Sequence, residues 1–140
     1  MTNSSLAERI IRGSLLSDGA MGTELYAAGV NIGPIELANL EKPDLVKSIH
    51  RSYLQSGSEL IQTNTFGANA SRLAIHGISS QTEELNRLGV ALARDAIRLT
   101  GQQAWVAGAM GPLAADSFAA EILGSATAHN VFAEQASILT

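Results

Sequence analysis

Cysteine is absent from this 140-residue chain, which excludes a disulfide framework and any thiolate metal site built from these residues alone. Charge is sparse too: Asp, Glu, Lys and Arg make up 16% of the chain, with 13 acidic residues against 9 basic ones and a formal net charge of −4. A nucleic-acid binder would want a basic face. Lys and Arg here are scattered singly, so no nucleic-acid partner is expected. No apolar stretch, including the one around Trp105-Val106-Ala107, approaches the roughly 20 residues that cross a bilayer. Glu8 and Arg9 interrupt the N-terminus where a signal peptide would be apolar. A soluble, cytoplasmic protein with no membrane partner is the expectation. The phosphate cradles G-x-G-x-x-G and G-x-x-x-x-G-K are both missing.

What the chain does have is apolar material, 46% of its residues, enough for one globular domain. Three short runs read as strands: 14–17, 59–63 and 104–108, spaced 45 residues apart from Leu15 to Leu60 and again from Leu60 to Trp105. Residues 1–13 read as an N-terminal helix carrying Leu6, Ala7, Ile10 and Ile11. A crossover helix follows Pro43, with Leu45, Val46, Ile49, Tyr53 and Leu54 on one stripe before Gly57. A second is expected to open at the capping box Ser80-x-x-Glu83, to turn Leu85, Leu88, Leu92, Ala96 and Leu99 inward, and to stop at Gly101. A third, from about Ala126, carries Val131, Phe132, Gln135, Ile138 and Leu139 up to Thr140 without a stop signal. Strand, helical connection and strand, repeated, is the pattern of parallel βαβ units in an open sheet or an eightfold barrel. The missing stop leads to the expectation of a chain truncated in its third helix.

Chemistry-bearing residues collect where the strands end. Asp18-Gly19-Ala20-Met21-Gly22-Thr23 follows the first strand. A carboxylate there can hold a substrate ammonium beneath a tightly turning backbone, or Ser17-Asp18-Gly19 is only a turn. Thr63-Asn64-Thr65 ends the second strand and offers hydrogen-bonding groups to a ligand, or a cap to a short helix starting near Ala68. Gly108-Ala109-Met110-Gly111-Pro112 ends the third and leaves space for either a substrate or close packing. Glu24, Glu36 and Asn39 either close over a ligand or serve local turns. His50, His76 and His129 have no ligand spacing and read as structural or surface residues. Tyr26, Tyr53 and Trp105 read as packing residues.

Taken together, Asp18 to Leu25, Glu36-Leu37-Ala38-Asn39, Pro43-Asp44-Leu45-Val46, His50 to Leu54 with Ser56-Gly57-Ser58, Thr63 to Ala68, and Gly111-Pro112 resemble the homocysteine S-methyltransferases. That family includes the N-terminal homocysteine-binding domain of cobalamin-dependent methionine synthase, and the segment 123–132 looks most like that branch. The resemblance implies a (β/α)8 TIM barrel, of which residues 14–140 would be about the first three βα units, the remainder of the barrel being their partner. Eight units at this spacing need about 300 residues or somewhat more. It also implies methyl transfer to homocysteine to form methionine, Asp18 at the substrate ammonium, Gly19, Ala20 and Thr23 in the same pocket, and Asn64 and Thr65 as pocket residues. Zinc is implied on cysteines that would lie beyond Thr140, with methylcobalamin and methyltetrahydrofolate acting through other domains. Betaine and S-methylmethionine are the other methyl donors open to the family. No catalytic residue and no metal ligand is expected inside these 140 residues, and the chain alone is expected to be inactive. Two other readings stand beside this one: a complete small α/β domain binding an anionic small molecule on its glycine loops, and a non-catalytic interaction module.

Overall fold

A computed structural model describes residues 5–114 and 125–140. It is a mixed α/β arrangement, mostly helical, around a small parallel sheet. Helix α1 (Leu6–Ile11) starts at Ser5, whose hydroxyl oxygen accepts from the Glu8 N–H while Glu8 reaches back to the Ser5 N–H, a complete capping box. Arg9 then forks onto Glu59, Nε to Oε1 at 2.8 Å and Nη2 to Oε2 at 2.7 Å. That contact holds the Glu59 carboxyl below its usual range, chiefly through the hydrogen bond from Arg9.

The sheet is smaller than the sequence suggests. Strand β1 (Leu60–Gln62) pairs in parallel with β2 (Trp105–Ala107), Ile61 opposite Val106. The expected first strand, 14–17, is reduced to one parallel bridge between Ser17 and Leu60, flanked by Glu59 N–H to Leu16 O at 2.8 Å and Asp18 N–H to Leu60 O at 3.0 Å. It is paired on one side only among the described residues, and Leu16 stays 55% exposed, so little burial holds a longer ladder there. The order 16–18, β1, β2 nonetheless brings all three chain exits to the same end of the sheet.

Helices α2 (Met21–Ala27), α3 (Ala38–Glu41) and α4 (Pro43–Gln55) follow the first segment, with a 3-10 turn Ile35–Leu37 between α2 and α3. Proline opens α4 as expected, and its stripe is buried through Val46, Ile49 and Leu54, with His50 alongside. After β1 come α5 (Ala70–Ile75), a 3-10 turn Ser79–Gln81 and α6 (Thr82–Thr100). Here two expectations fail. Ser80 lies inside the 3-10 turn and caps nothing, while Glu83 pairs with Arg87 at 2.8 Å on the surface. Leu99 is 56% exposed; the buried stripe of α6 instead includes Asn86, Gly89 and Ala93 beside Leu85, Leu92 and Ala96. Gly89 belongs to that stripe because α6 rides so close to the end of β1 that a Cβ there would collide with the Thr65 methyl and lie 3.1 Å from Asn39 Nδ2. The helix ends as expected at Gly101, in the left-handed conformation with φ 67°. Helix α7 (Ser125–Leu139) packs on α6. Residues 123 and 124, part of the segment that most resembles the methionine synthase branch, lie outside the described residues, as do 1–4.

The core divides into a cluster of Leu25, Val30, Val46, Ile49 and Leu92, a second of Leu54, Ile61, Ala93 and Ala96 behind the sheet, and a third of Ala68, Leu73 and Leu85 under the second connection. Together they leave the strand exits as the place where polar residues converge.

Candidate functional site

At those exits lies a half-open cavity of about 350 Å³. It is lined by the first loop, Asp18 to Gly22, by Ile35 and Glu36 from the first connection, by Gln62, Thr63 and Asn64 from the end of β1, and by Phe66 and Ala109. Two of these side chains, Asp18 and Glu36, are acidic, and none is basic. The cavity is therefore matched to a cationic group and mismatched to an anion.

Asp18 is fixed by the neighbouring strand. Its Oδ2 accepts the Gln62 backbone N–H at 2.8 Å; Oδ1 accepts from Gln62 Nε2 at 3.4 Å and from the Ser17 hydroxyl at 3.3 Å. The carboxylate thus satisfies a backbone group not within its own turn, as the turn reading has it, but across the sheet, at the last residue of β1. Each oxygen still has acceptor capacity. The loop beyond it rests on Tyr53, whose hydroxyl donates to Ala20 O at 3.3 Å. Tyr53 thus supports the site from α4 in addition to packing. Its phenol is pushed up in pKa, first by burial and then by the charges of Glu24 and Asp18.

Asn64 and Thr65 meet the cavity differently. Asn64 is 5% exposed and lines the cavity, but its amide donates to Ile35 O at 3.3 Å and Asn39 Oδ1 at 3.1 Å, while Asn39 Nδ2 donates to Asn64 O at 2.8 Å and Leu85 O at 3.1 Å. Thr65 is fully buried behind the wall. Its hydroxyl donates to Ala109 O at 2.8 Å, so in the 2.6 Å contact between the two threonine hydroxyls Thr63 is the donor, while Thr63 Oγ1 accepts the Ala109 N–H at 3.0 Å. The short-helix cap expected of this segment comes instead from Asn69, whose Oδ1 accepts the Arg72 N–H at 3.0 Å.

The cavity thus brings Asp18, Gly19, Ala20 and Asn64 together; Thr65 backs it, and Thr23 lies exposed on α2, outside the lining. Of the other residues weighed near the strand exits, Met21, Gly22, Glu36, Thr63 and Ala109 line it as well, and Ile35, Gln62 and Phe66 join them. Strand-end position was the available signal for Gln62, and Glu36, weighed as a residue that closes over a ligand, does line the cavity, carried there with Ile35 by a fold-back whose course no local pattern announces. Among the described residues, no three His, Cys, Asp or Glu side chains are grouped so as to hold a metal ion.

The sequence profile described as homocysteine S-methyltransferase matches residues 15–140. Methionine synthase from Mycobacterium tuberculosis is 36% identical over 117 residues, 76% of this chain and 10% of that protein. The Mycobacterium leprae methionine synthase is 33% identical over 120 residues, 79% and 10% respectively. Among solved structures, the homocysteine methyltransferase MmuM from Escherichia coli in its metallated form superimposes with a TM-score of 0.64 at 30% identity, covering 76% of this chain and 41% of that one. Its oxidized form gives 0.65 at 30%, covering 78% and 41%. The chain therefore spans a tenth of the methionine synthases and less than half of the solved methyltransferase.

Proposed function

Since the chain belongs to the homocysteine S-methyltransferase family, we propose that it forms the amino-acid-binding part of a (β/α)8 barrel that transfers a methyl group to homocysteine to give methionine. The observation that carries this reading is the cavity at the exits of parallel strands, with the Asp18 carboxylate in its lining and no basic residue beside it. Such a lining suits an ammonium group and disfavours the anion-binding alternative, because a phosphate or nucleotide would meet a carboxylate with nothing to offset it. Asp18 takes the substrate ammonium. Gly19 and Ala20 keep the adjoining wall low, Asn64 forms part of the lining, and Thr65 shapes it from behind. Thr23 joins the pocket only if α2 turns it inward on binding.

The residues in hand do not fit the zinc ion that the family resemblance implies. The chain has no cysteine, the described residues offer no ligand cluster, and the fully buried imidazole of His50 lies outside the cavity lining. In this proposal zinc and its ligands, the methyl donor and the remaining strands come from sequence outside these 140 residues. That donor is methylcobalamin recharged by methyltetrahydrofolate, betaine or S-methylmethionine. The setting is cytoplasmic. The test is made in the intact protein that carries this chain: Asp18→Ala is expected to weaken homocysteine binding at least tenfold by calorimetry, about 1.4 kcal/mol or more, with zinc content unchanged. Unaltered affinity would remove Asp18 from the pocket. Downstream coding sequence supplies a second test, since one single and one paired glycine-flanked cysteine segment are expected there.

A further inference from the structure

Glu36 is only 5% exposed, and no Lys, Arg or His pairs with it among the described residues. A carboxylate so deep is costly unless something specific holds it. What holds it is one backbone group: Oε1 accepts the Gly67 N–H at 2.6 Å, the short geometry of a charge-assisted bond. The carbonyl of the same peptide unit, Phe66 O, accepts the Gly111 N–H at 2.7 Å. One peptide plane is thus gripped at both of its polar atoms, from the first connection on one side and from the third on the other. That holds the orientation of the peptide that follows the Phe66 Cα, and the Phe66 ring lies against Gly111, where a Cβ would sit 2.7 Å from its Cδ1 and Cε1. Glycine is part of the device, because a Cβ at 67 would sit 2.8 Å from Glu36 Oε1 and 3.1 Å from its Cδ. Phe66 lines the cavity while remaining 54% exposed, an aromatic surface left unburied within the site.

We propose that Glu36 is a positioning residue that, through Gly67, sets Phe66 as the apolar wall for the aliphatic chain of the substrate. The inference rests on homocysteine as the ligand. Phe66 touches substrate methylenes; Glu36 acts only through the peptide it grips.

The experiment uses the intact methyltransferase with steady-state kinetics and amide hydrogen exchange at Gly67. Glu36→Leu removes the acceptor and is expected to raise KM for homocysteine about tenfold with kcat within about twofold, and to accelerate exchange at Gly67. Glu36→Gln keeps an acceptor oxygen and is expected to hold KM within about threefold of the parent, with Gly67 still protected. Phe66→Ala is expected to match the KM rise of Glu36→Leu while leaving Gly67 protected. If Glu36→Leu does not fold, Gly67→Ala, which pushes the carboxylate aside, is expected to show the same rise. The proposal is overturned if Glu36→Gln is as damaging as the leucine variant, since charge on the ligand would then be the role. Normal KM despite rapid exchange at Gly67 overturns it equally. A parent enzyme that does not use homocysteine would instead sink the underlying reading, before any variant is compared.

Discussion

His50 sits on the buried stripe of α4 with no exposed surface, and neither ring nitrogen has a hydrogen-bond partner among the described residues. Burial drives its pKa from 6.5 down to about 4. The unfolded chain therefore binds a proton that the folded chain refuses between those values. Stability from the neutral ring is complete above about pH 6.5 and is lost as pH falls toward 4, by an amount on the order of 3 kcal/mol. Urea midpoints are expected to drop steeply between pH 7 and pH 5, and His50→Leu is expected to flatten that dependence. An unchanged slope in the variant would take the charge penalty away from His50. The sequence places this histidine on an apolar stripe, which is enough to read it as structural. It holds no trace of the missing partners, since these depend on which atoms of α6 and its neighbours face the ring. The same limit applies to Asp18, whose position at a strand exit is legible while its bond to Gln62, 44 residues away, is not.

Elements follow local signals where burial and capping agree, and depart where a neighbouring turn competes. Pro43 opens α4 and Gly101 closes α6 as their chemistry requires. Ser80 and Glu83 have the spacing of a capping box, yet the chain tightens into a 3-10 turn at Ser79–Gln81 and the cap never forms. The Thr82 hydroxyl donates back to Ser79 O at 2.7 Å instead. Asn69, which no spacing rule singled out, is the working cap of α5. These two positions make a matched comparison: Asn69→Ala is expected to cost about 1–2 kcal/mol, the more so because its Nδ2 also donates to Pro112 O at 3.2 Å. Ser80→Ala is expected to stay within about 0.5 kcal/mol of the parent. Chemical denaturation of both variants decides it, and equal losses would restore the capping box.

At the scale of the molecule, a line of buried side-chain amides and backbone carbonyls ties the third connection to the second. Gln135 of α7, fully buried, donates through Nε2 to Thr65 O at 2.8 Å and to Asn86 Oδ1 at 3.1 Å. Asn86 Nδ2 in turn donates to Ala68 O at 2.6 Å and Thr82 O at 2.7 Å. Gln135→Leu would leave Thr65 O and Asn86 Oδ1 without this donor, and a loss of about 1–3 kcal/mol in unfolding free energy is expected. A neutral or stabilising result would mean that α7 docks by its apolar side chains alone. The helical stripe in the sequence puts Gln135 on the inward face, but its bonds span 70 and 49 residues, a separation that no periodicity encodes. The regular 45-residue spacing likewise foretells parallel order, which β1 and β2 adopt. It cannot foretell how far an edge segment stays laddered, because that depends on what covers it.

Asp18 is at once a wall of the cavity and the acceptor for a strand N–H, so binding and folding share an atom. By reciprocity, whatever free energy a ligand at Asp18 contributes to the rung with Gln62, that rung returns to the ligand. Affinity here is consequently a property of the sheet, open to adjustment from Leu60, whose carbonyl accepts the Asp18 N–H and which lies outside the lining.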